Sequence, residues 1–211
     1  MTGFATRDPN SPAFWDERFV RGFTPWDQGG VPLALRDFVR RSGKPLATLI
    51  PGCGAAWELA FLSDCGWDAL AIDFSPAAVA TAKAAVGPWG ARVLQADFFS
   101  YSPFAGDPAR QLELIYERAF LCAMPPAMRP RVAARWAALL APGGLLAGFF
   151  FFDAAPKGPP FGIGEQELES LLAPWFSCIE DAPVSDSIAV FEGKERWKVW
   201  RRNDRHPALA E

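Results

Sequence analysis

The chain has 211 residues, of which half are apolar and 21% are charged, and its formal net charge is −3 at pH 7. This length suits one domain with a well-buried core. The weakly acidic charge provides no basic stripe to neutralise phosphates, which disfavours nucleic acid binding. Cys53, Cys65, Cys122 and Cys178 are far apart. This spacing indicates neither a disulfide framework nor a metal site and favours a reducing cytoplasm.

Residues 1–45 form a first segment that is rich in aromatic and turn residues and lacks the apolar run of a signal peptide. Ser11 and Pro12 predict the start of a helix, because serine is a common N-cap and proline fits the first helical position. Gly22 can end this helix. The loop TPWDQGG and a second, apolar helix, VPLALRDFVRR, complete the segment.

Short apolar strands then alternate with helices over roughly 46–152. Strands are predicted near 46–50, 69–72, 92–95, 112–116 and 145–151, and helices near 55–65, 76–86 and 129–140. The last of these strands includes LLAGFFFF, which is far too short to span a bilayer and is typical of a fully buried strand. The alternation predicts an α/β fold, in which a mostly parallel sheet has helices on both faces.

The last part of the chain combines a loop rich in proline and glycine, DAAPKGPPFGIG, with a helix, GEQELESLLAPWF, and strands near 176–181 and 196–201. The only histidine, His206, lies in a polar tail, where we expect a solvated terminus. The whole chain is therefore predicted to be one domain over 1–211, with an N-terminal lid segment over 1–45, a core over 46–202 and the polar tail over 203–211.

A glycine turn follows the first strand. Gly52 and Gly54 allow the backbone to turn tightly and to approach a ligand closely. A dinucleotide-binding turn, G-x-G-x-x-G, needs a small residue at the position of Trp57, and the turn also lacks the G-x-x-x-x-G-K-[ST] pattern of a phosphate loop. It therefore argues against NAD and against nucleoside triphosphates. A tight loop with no ligand is the alternative.

Polar residues end the next three strands. Asp73 ends the second, where a carboxylate can accept hydrogen bonds from two ribose hydroxyls. Asp97 ends the third and could accept from an adenine amino group beside Phe98, or could serve only as a turn residue. Glu117 and Arg118 follow at the fourth strand, with a surface ion pair as the alternative. A ribose contact without a pyrophosphate turn predicts S-adenosylmethionine as the cofactor.

Six motifs occur in order along the chain: PWDQG (25–29), LIPGCG (49–54), AIDFS (71–75), FLCAMPPAMRP (120–130), GPPF (158–161) and GKERWKVWRR (193–202). In this set the chain resembles the thiopurine S-methyltransferase superfamily, which includes the plant-type halide/thiol methyltransferases. The resemblance covers residues 14–202. It implies a single-domain, Rossmann-like class I methyltransferase with a seven-stranded sheet in the order 3-2-1-4-5-7-6, whose last strand is antiparallel.

The resemblance also implies functional residues. The expected cofactor contacts are Trp15, Phe19, Trp26, Gly52, Gly54, Asp73, Asp97, Phe98 and Arg118. The expected acceptor contacts are Arg118, Trp26 and Phe161, with the N-terminal segment and the GPPF loop as a lid over the strand ends. Arg118 matches an arginine of the thiopurine branch, whereas the halide/thiol branch has tyrosine there and the PWDQG motif is closer to that branch.

The expected activity is transfer of a methyl group from S-adenosylmethionine to a small soft nucleophile, above all a thiol. Such a displacement needs positioning and exclusion of water more than proton transfer, so no catalytic acid or base is expected. Asp27 or Glu117 could act as a base, but nothing singles them out. Aromatic rings could hold the sulfonium by cation–π attraction.

Other functions stay open at this point. The acceptor could be a halide, a heterocyclic thiol or an O/N nucleophile of secondary metabolism, and the protein could bind S-adenosylmethionine without turnover. An NAD-dependent oxidoreductase is disfavoured by Trp57. We expect a small-molecule substrate, no nucleic acid, metal or membrane partner, and a monomer or weak homodimer.

Overall fold

A seven-stranded sheet runs through the part of the chain that the computed structural model describes, residues 3–107, 110–155 and 157–204. Its strands are β1 (Thr48–Pro51), β2 (Ala69–Asp73), β3 (Val93–Gln95), β4 (Leu112–Arg118), β5 (Leu140–Phe151), β6 (Phe176–Pro183) and β7 (Glu195–Arg202). Their order is β3-β2-β1-β4-β5-β7-β6. β7 is antiparallel to both of its neighbours, and the other pairs are parallel. The predicted order is confirmed.

Helices pack on both faces of this sheet. They are α1 (Pro12–Val20), α2 (Leu33–Arg41), α3 (Trp57–Asp64), α4 (Pro76–Ala85), α5 (Arg129–Leu139) and α6 (Glu165–Leu172). Consecutive residues of β4 point to opposite faces. Leu114 therefore joins the core beneath α2 and α3, whereas Ile115 joins the core beneath α5 and α6. No helix within the described residues is long and apolar enough to cross a bilayer.

Two details differ from the sequence prediction. Ser11 has the extended conformation of an N-cap, but its side chain makes no capping hydrogen bond. β5 begins at Leu140, directly after α5, because its first residue pairs with β4 and the register then shifts. The positive φ of Gly143 accommodates this irregularity. His206 lies outside the described residues.

The carboxyl ends of β1 to β5 meet at one edge of the sheet, where ligands bind in open α/β folds. Because β7 runs in the opposite direction, its first residue lies at this same edge. Glu195 there pairs with Phe151, the last residue of β5. The edge therefore combines residues that end the parallel strands with one that begins the antiparallel strand.

Candidate active site

A cleft of about 1090 Å³ opens at this edge. This volume is at the upper end of the range typical of small-molecule sites, so it can hold a nucleoside-sized ligand and a small second molecule. One wall comes from the N-terminal segment and the other from the glycine turn and the strand ends. All nine residues predicted for the cofactor line it: Trp15, Phe19, Trp26, Gly52, Gly54, Asp73, Asp97, Phe98 and Arg118.

The glycine turn after β1 packs closely against aromatic rings. Gly52 and Gly54 have φ values of +58° and +52°, in the left-handed region that favours glycine. A Cβ atom at Gly52 would lie 2.6 Å from Cδ2 of Phe120, and one at Gly54 would lie 3.7 Å from Cζ of Phe19. Gly52 therefore meets both a conformational and a steric requirement, and the close approach of this turn to a ligand stays a prediction.

Asp73 is fixed beneath this turn. Its Oδ2 accepts a hydrogen bond from the backbone N–H of Gly54 at 3.2 Å, and its Oδ1 accepts one from Ser75 at 3.0 Å. Burial raises the pKa of Asp73 to about 6, although these hydrogen bonds oppose the rise. The carboxylate is thus oriented by the backbone at the place where the sequence predicted a ribose contact.

Asp97 has the turn role that the sequence offered as one alternative, and its contact with adenine stays a prediction. It lines the cleft, and it also holds the turn after β3, because its Oδ1 accepts from the backbone N–H of Phe99 at 3.1 Å. Phe98 is buried and lies edge-on to Phe120, with ring centroids 5.0 Å apart. This end of the cleft therefore has one exposed carboxylate beside a fixed aromatic wall.

The N-terminal segment contributes an aromatic cluster. The ring of Trp26 lies 5.4 Å from that of Trp15 and 6.0 Å from that of Phe19, both in edge-to-face contact. Such contacts fix the rings relative to one another. Asp16 ties the segment to the core, because its Oδ1 accepts hydrogen bonds from Ser75 Oγ at 2.6 Å and from the backbone N–H of Ala77 at 3.0 Å.

Arg118 lies at the other end of the cleft. One of its N–H groups donates to Oε2 of Glu195 at 2.9 Å, and its guanidinium carbon lies 4.2 Å from the ring centroid of Phe149. The alternative of a surface ion pair with Glu117 is wrong. Glu117 is buried, and its Oε1 instead accepts from the backbone N–H groups of Phe120 and Leu121, both at 2.9 Å.

Phe161 does not line the cleft. Its ring lies beside a neighbouring depression, and its backbone N–H donates to the carbonyl of Cys122 at 2.6 Å. Pro159 and Pro160 reach the cleft from the same loop. Arg129 helps to hold this loop, since it donates to the carbonyl of Gly162 at 2.5 Å and pairs with Glu167 at 2.6 Å. The GPPF motif thus supplies prolines, not its phenylalanine, to the cleft.

The chain is similar to known proteins. A family model described as thiopurine S-methyltransferase matches residues 10–206. The chain belongs to the thiopurine S-methyltransferase family. It is accordingly an S-adenosylmethionine-dependent methyltransferase.

Relatives of this methyltransferase come from plants and bacteria. It is 29% identical over 202 residues to a probable thiol methyltransferase 2 from Arabidopsis thaliana, covering 92% of this chain and 87% of the plant protein. It is 30% identical over 177 residues to a thiopurine S-methyltransferase from Vibrio cholerae, covering 76% of this chain and 80% of the bacterial protein. These two relatives therefore represent the thiol and the thiopurine branches that the motifs suggested.

Solved structures of other methyltransferases have the same fold. The Burkholderia thailandensis 1,6-didemethyltoxoflavin-N1-methyltransferase, with 1,6-didemethyltoxoflavin and S-adenosylhomocysteine bound, gives a TM-score of 0.69 at 19% identity and covers 96% of this chain and 94% of that one. The Synechocystis magnesium protoporphyrin IX methyltransferase, with S-adenosylmethionine bound, gives 0.70 at 15% identity, covering 95% and 100%.

Several residues that line or shape the methyltransferase cleft were not predicted. Cys122, Met124 and Phe191 line it, and Glu195 pairs with Arg118 without lining the cleft itself. Cys122 and Met124 lie within the FLCAMPPAMRP motif and Glu195 lies within GKERWKVWRR, so the motifs located these segments but not which side chains reach the cleft or Arg118. Strand-end position, the signal that found Asp73 and Asp97, does not apply to the beginning of an antiparallel strand.

Proposed function

We propose that this methyltransferase transfers the methyl group to the sulfur of a small thiol. The observation that carries the proposal is the environment of Arg118, a nearly buried guanidinium that lines the cleft beside the rings of Phe149 and Phe191. Such a pocket excludes water and offers hydrogen-bond donors to a single small polar group. A thiol sulfur fits both conditions.

The glycine turn and Asp73 fit S-adenosylmethionine, since Gly52 has no room for a side chain and Asp73 is a buried carboxylate facing the cleft. When bound, S-adenosylmethionine supplies a methyl group on a positively charged sulfur. We assign the ribose hydroxyls to Asp73 and the adenine to Asp97 and Phe98. The cluster of Trp15, Phe19 and Trp26 would stabilise a nearby positive charge by up to ~2 kcal/mol.

In this proposal the chain's own residues bind, orient and exclude water. The thiol sulfur gains the methyl carbon as the bond from that carbon to the sulfonium sulfur breaks, and the thiol proton is lost to bulk water, so no side chain is assigned as the catalytic base. Residues 3–32 serve as the cover of the cleft, whereas the loop carrying Pro159 and Pro160 is held in place by Arg129. The cover provides the dry environment that a soft nucleophile needs.

The cellular setting belongs to the same proposal. Cys53, Cys65, Cys122 and Cys178 are all free thiols. Two of them, Cys53 and Cys122, are buried and line the cleft. Free thiols of this kind are typical of proteins in a reducing compartment. We infer a cytoplasmic enzyme that acts as a monomer or weak homodimer.

An activity panel tests this function. The purified protein would be incubated with S-adenosylmethionine and, separately, with sulfide, methanethiol, an aromatic thiol, thiocyanate and iodide, and each methylated product would be measured. We expect methyl thioethers from the thiols. Preferential methylation of iodide or thiocyanate would assign the enzyme to halide chemistry. Binding of S-adenosylmethionine with no product from any acceptor would indicate a protein without turnover.

A further inference from the structure

The guanidinium of Arg118 lines the cleft but is already paired with a carboxylate. Its side chain is 12% exposed and that of its partner Glu195 is 3% exposed, and the two are 2.9 Å apart. The antiparallel direction of β7 makes this pairing possible, because it places the first residue of β7 at the ligand-binding edge. The protein therefore supplies its own counterion to the one guanidinium that we assign to the acceptor.

The surroundings strengthen this pairing. The guanidinium carbon lies 4.2 Å from the ring centroid of Phe149 and 5.6 Å from that of Phe191. Aromatic walls of this kind screen charges poorly, so the attraction between the two groups is stronger than in water. Burial opposes the positive charge of Arg118, but Tyr116 and Glu195 help to raise its pKa above the ordinary value. The guanidinium thus stays charged, with its charge compensated.

This compensation has a consequence for the acceptor. A small free anion that approaches Arg118 also meets the negative charge of Glu195 directly behind it. A neutral thiol meets no such penalty, because it needs only a hydrogen-bond donor. A guanidinium has five N–H donors in a fixed fork, so a bond to Glu195 does not use up its capacity.

We propose that Glu195 is a positioning residue that sets acceptor specificity: by neutralising Arg118, it favours thiols that bind as neutral molecules over small free anions such as iodide and thiocyanate. The inference rests on the proposed function, since it assumes that the acceptor binds beside Arg118. It assigns the choice of acceptor to a side chain behind the cleft wall rather than to one that touches the acceptor.

The first test is the substitution Glu195→Gln, which keeps the size and a hydrogen-bonding oxygen but removes the charge. We expect the ratio of kcat/KM for iodide or thiocyanate to kcat/KM for a thiol, measured below the thiol pKa, to rise about tenfold or more, as for removal of like-charge repulsion at a binding site. Glu180→Gln is the matched control, because Glu180 pairs with Arg41 at 2.8 Å outside the cleft. An unchanged ratio in Glu195→Gln would overturn the proposal.

A second readout does not depend on turnover. Glu195→Gln removes the carboxylate that hydrogen-bonds to Arg118 and leaves only electrostatic attraction, such as that of Glu58 and Glu117, so iodide from solution should stabilise this variant. We expect iodide, compared with chloride at equal ionic strength, to raise the Tm of Glu195→Gln more than that of the wild type or of Glu180→Gln. An equal response in all three proteins would count against the proposal.

A third variant is needed if Glu195→Gln does not fold. Glu195→Asp keeps the negative charge but moves it away from Arg118 by the length of one methylene group, so the same ratio of kcat/KM values should rise by a smaller factor. An unchanged ratio in Glu195→Asp would overturn the inference. Failure of the wild-type protein to methylate any acceptor would overturn the proposed function instead. The Tm comparison would still decide whether Glu195 neutralises Arg118.

Discussion

The indole Nε1 of Trp57 donates a hydrogen bond to Oδ1 of Asp27 at 2.9 Å. Trp57 begins α3, and Asp27 belongs to the PWDQG motif of the N-terminal segment, so the bond joins the cover of the cleft to the glycine-turn side. The bulky residue that replaces the third glycine of a dinucleotide-binding turn thus has a structural role of its own. It anchors the segment that carries Trp26.

Loss of this anchor should weaken cofactor binding. Trp57→Phe removes the N–H donor but keeps an aromatic ring, so the cover should open more often and the Kd for S-adenosylmethionine should rise about three- to tenfold, equivalent to ~1 kcal/mol. Isothermal titration calorimetry would measure it. Trp89→Phe is the matched control, because Trp89 donates the same type of bond to Asp64 at 2.8 Å away from the cleft. Equal Kd values for the two variants would argue against the anchoring role.

Asp73 is expected to bind the ribose. Asp73→Ala would leave two ribose hydroxyls without a charged acceptor, so binding of S-adenosylmethionine should weaken by about 1.5–3 kcal/mol. Asp64→Ala, at the exposed end of α3, is the control for loss of an acid. Calorimetry on both variants would decide, and a parental affinity in Asp73→Ala would place the ribose elsewhere.

The pKa of Asp73 predicts a pH dependence. Burial raises it to about 6 from an ordinary 3.8, so the carboxylate becomes protonated, and loses its acceptor capacity, as the pH falls through about 6. Affinity for S-adenosylmethionine should fall in the same window. A flat affinity between about pH 5 and pH 8 would mean that the ionised carboxylate is not needed for binding.

The raised pKa of Asp73 also makes the stability of the folded protein depend on pH, in the opposite direction to the affinity for S-adenosylmethionine. A carboxyl group whose pKa is raised by folding stabilises the folded state at low pH, and this contribution is lost as the pH rises through the folded-state pKa of about 6. Asp73→Asn cannot titrate. The Tm of Asp73→Asn minus the Tm of the wild type should therefore increase between about pH 5 and pH 8. Differential scanning calorimetry without ligand would test it, and a constant difference would contradict the shift.

These residues also show which features of the site the sequence could predict and which it could not. The positions of Gly52 and Asp73 could be predicted from local sequence, because a glycine turn after a strand and an acid at a strand end lie at the ligand-binding edge in any open α/β fold. The bond between Trp57 and Asp27 spans 30 residues, and that between Arg118 and Glu195 spans 77. Such pairings depend on how whole elements pack, and no periodicity encodes them.

Phe161 shows the same limit within a motif. The GPPF sequence correctly placed its loop at the cleft, but which side chain enters depends on the backbone bonds that Arg129 and Cys122 make to the loop. Side-chain direction in an irregular loop follows from these long-range contacts. Motif recognition therefore located the segment and missed the residues, Pro159 and Pro160, that line the cleft.

The glycine turn allows a steric test with an internal control. Gly52→Ala introduces a Cβ atom 2.6 Å from Cδ2 of Phe120 at a φ of +58°, whereas Gly66→Ala has a φ of +79° and meets nothing within 4 Å. Both variants should lose about 1 kcal/mol of stability from backbone strain. Only Gly52→Ala should also weaken binding of S-adenosylmethionine. Equal effects on Kd would show that close packing at Gly52 is not needed for the site.

The sequence predicts that Arg118 contacts both the cofactor and the acceptor, and the proposed function keeps only the contact with the acceptor. Arg118→Met keeps a long side chain but removes every donor, so kcat/KM for a thiol should fall by an amount equivalent to roughly 1–3 kcal/mol, while the Kd for S-adenosylmethionine stays nearly constant. The single variant also leaves Glu195 buried without its partner, which costs stability. The double variant Arg118→Met with Glu195→Gln removes this second effect: we expect it to regain Tm but not thiol methylation. Recovery of both would mean that the arginine serves only to neutralise Glu195, and unchanged kinetics in the single variant would remove Arg118 from the acceptor site.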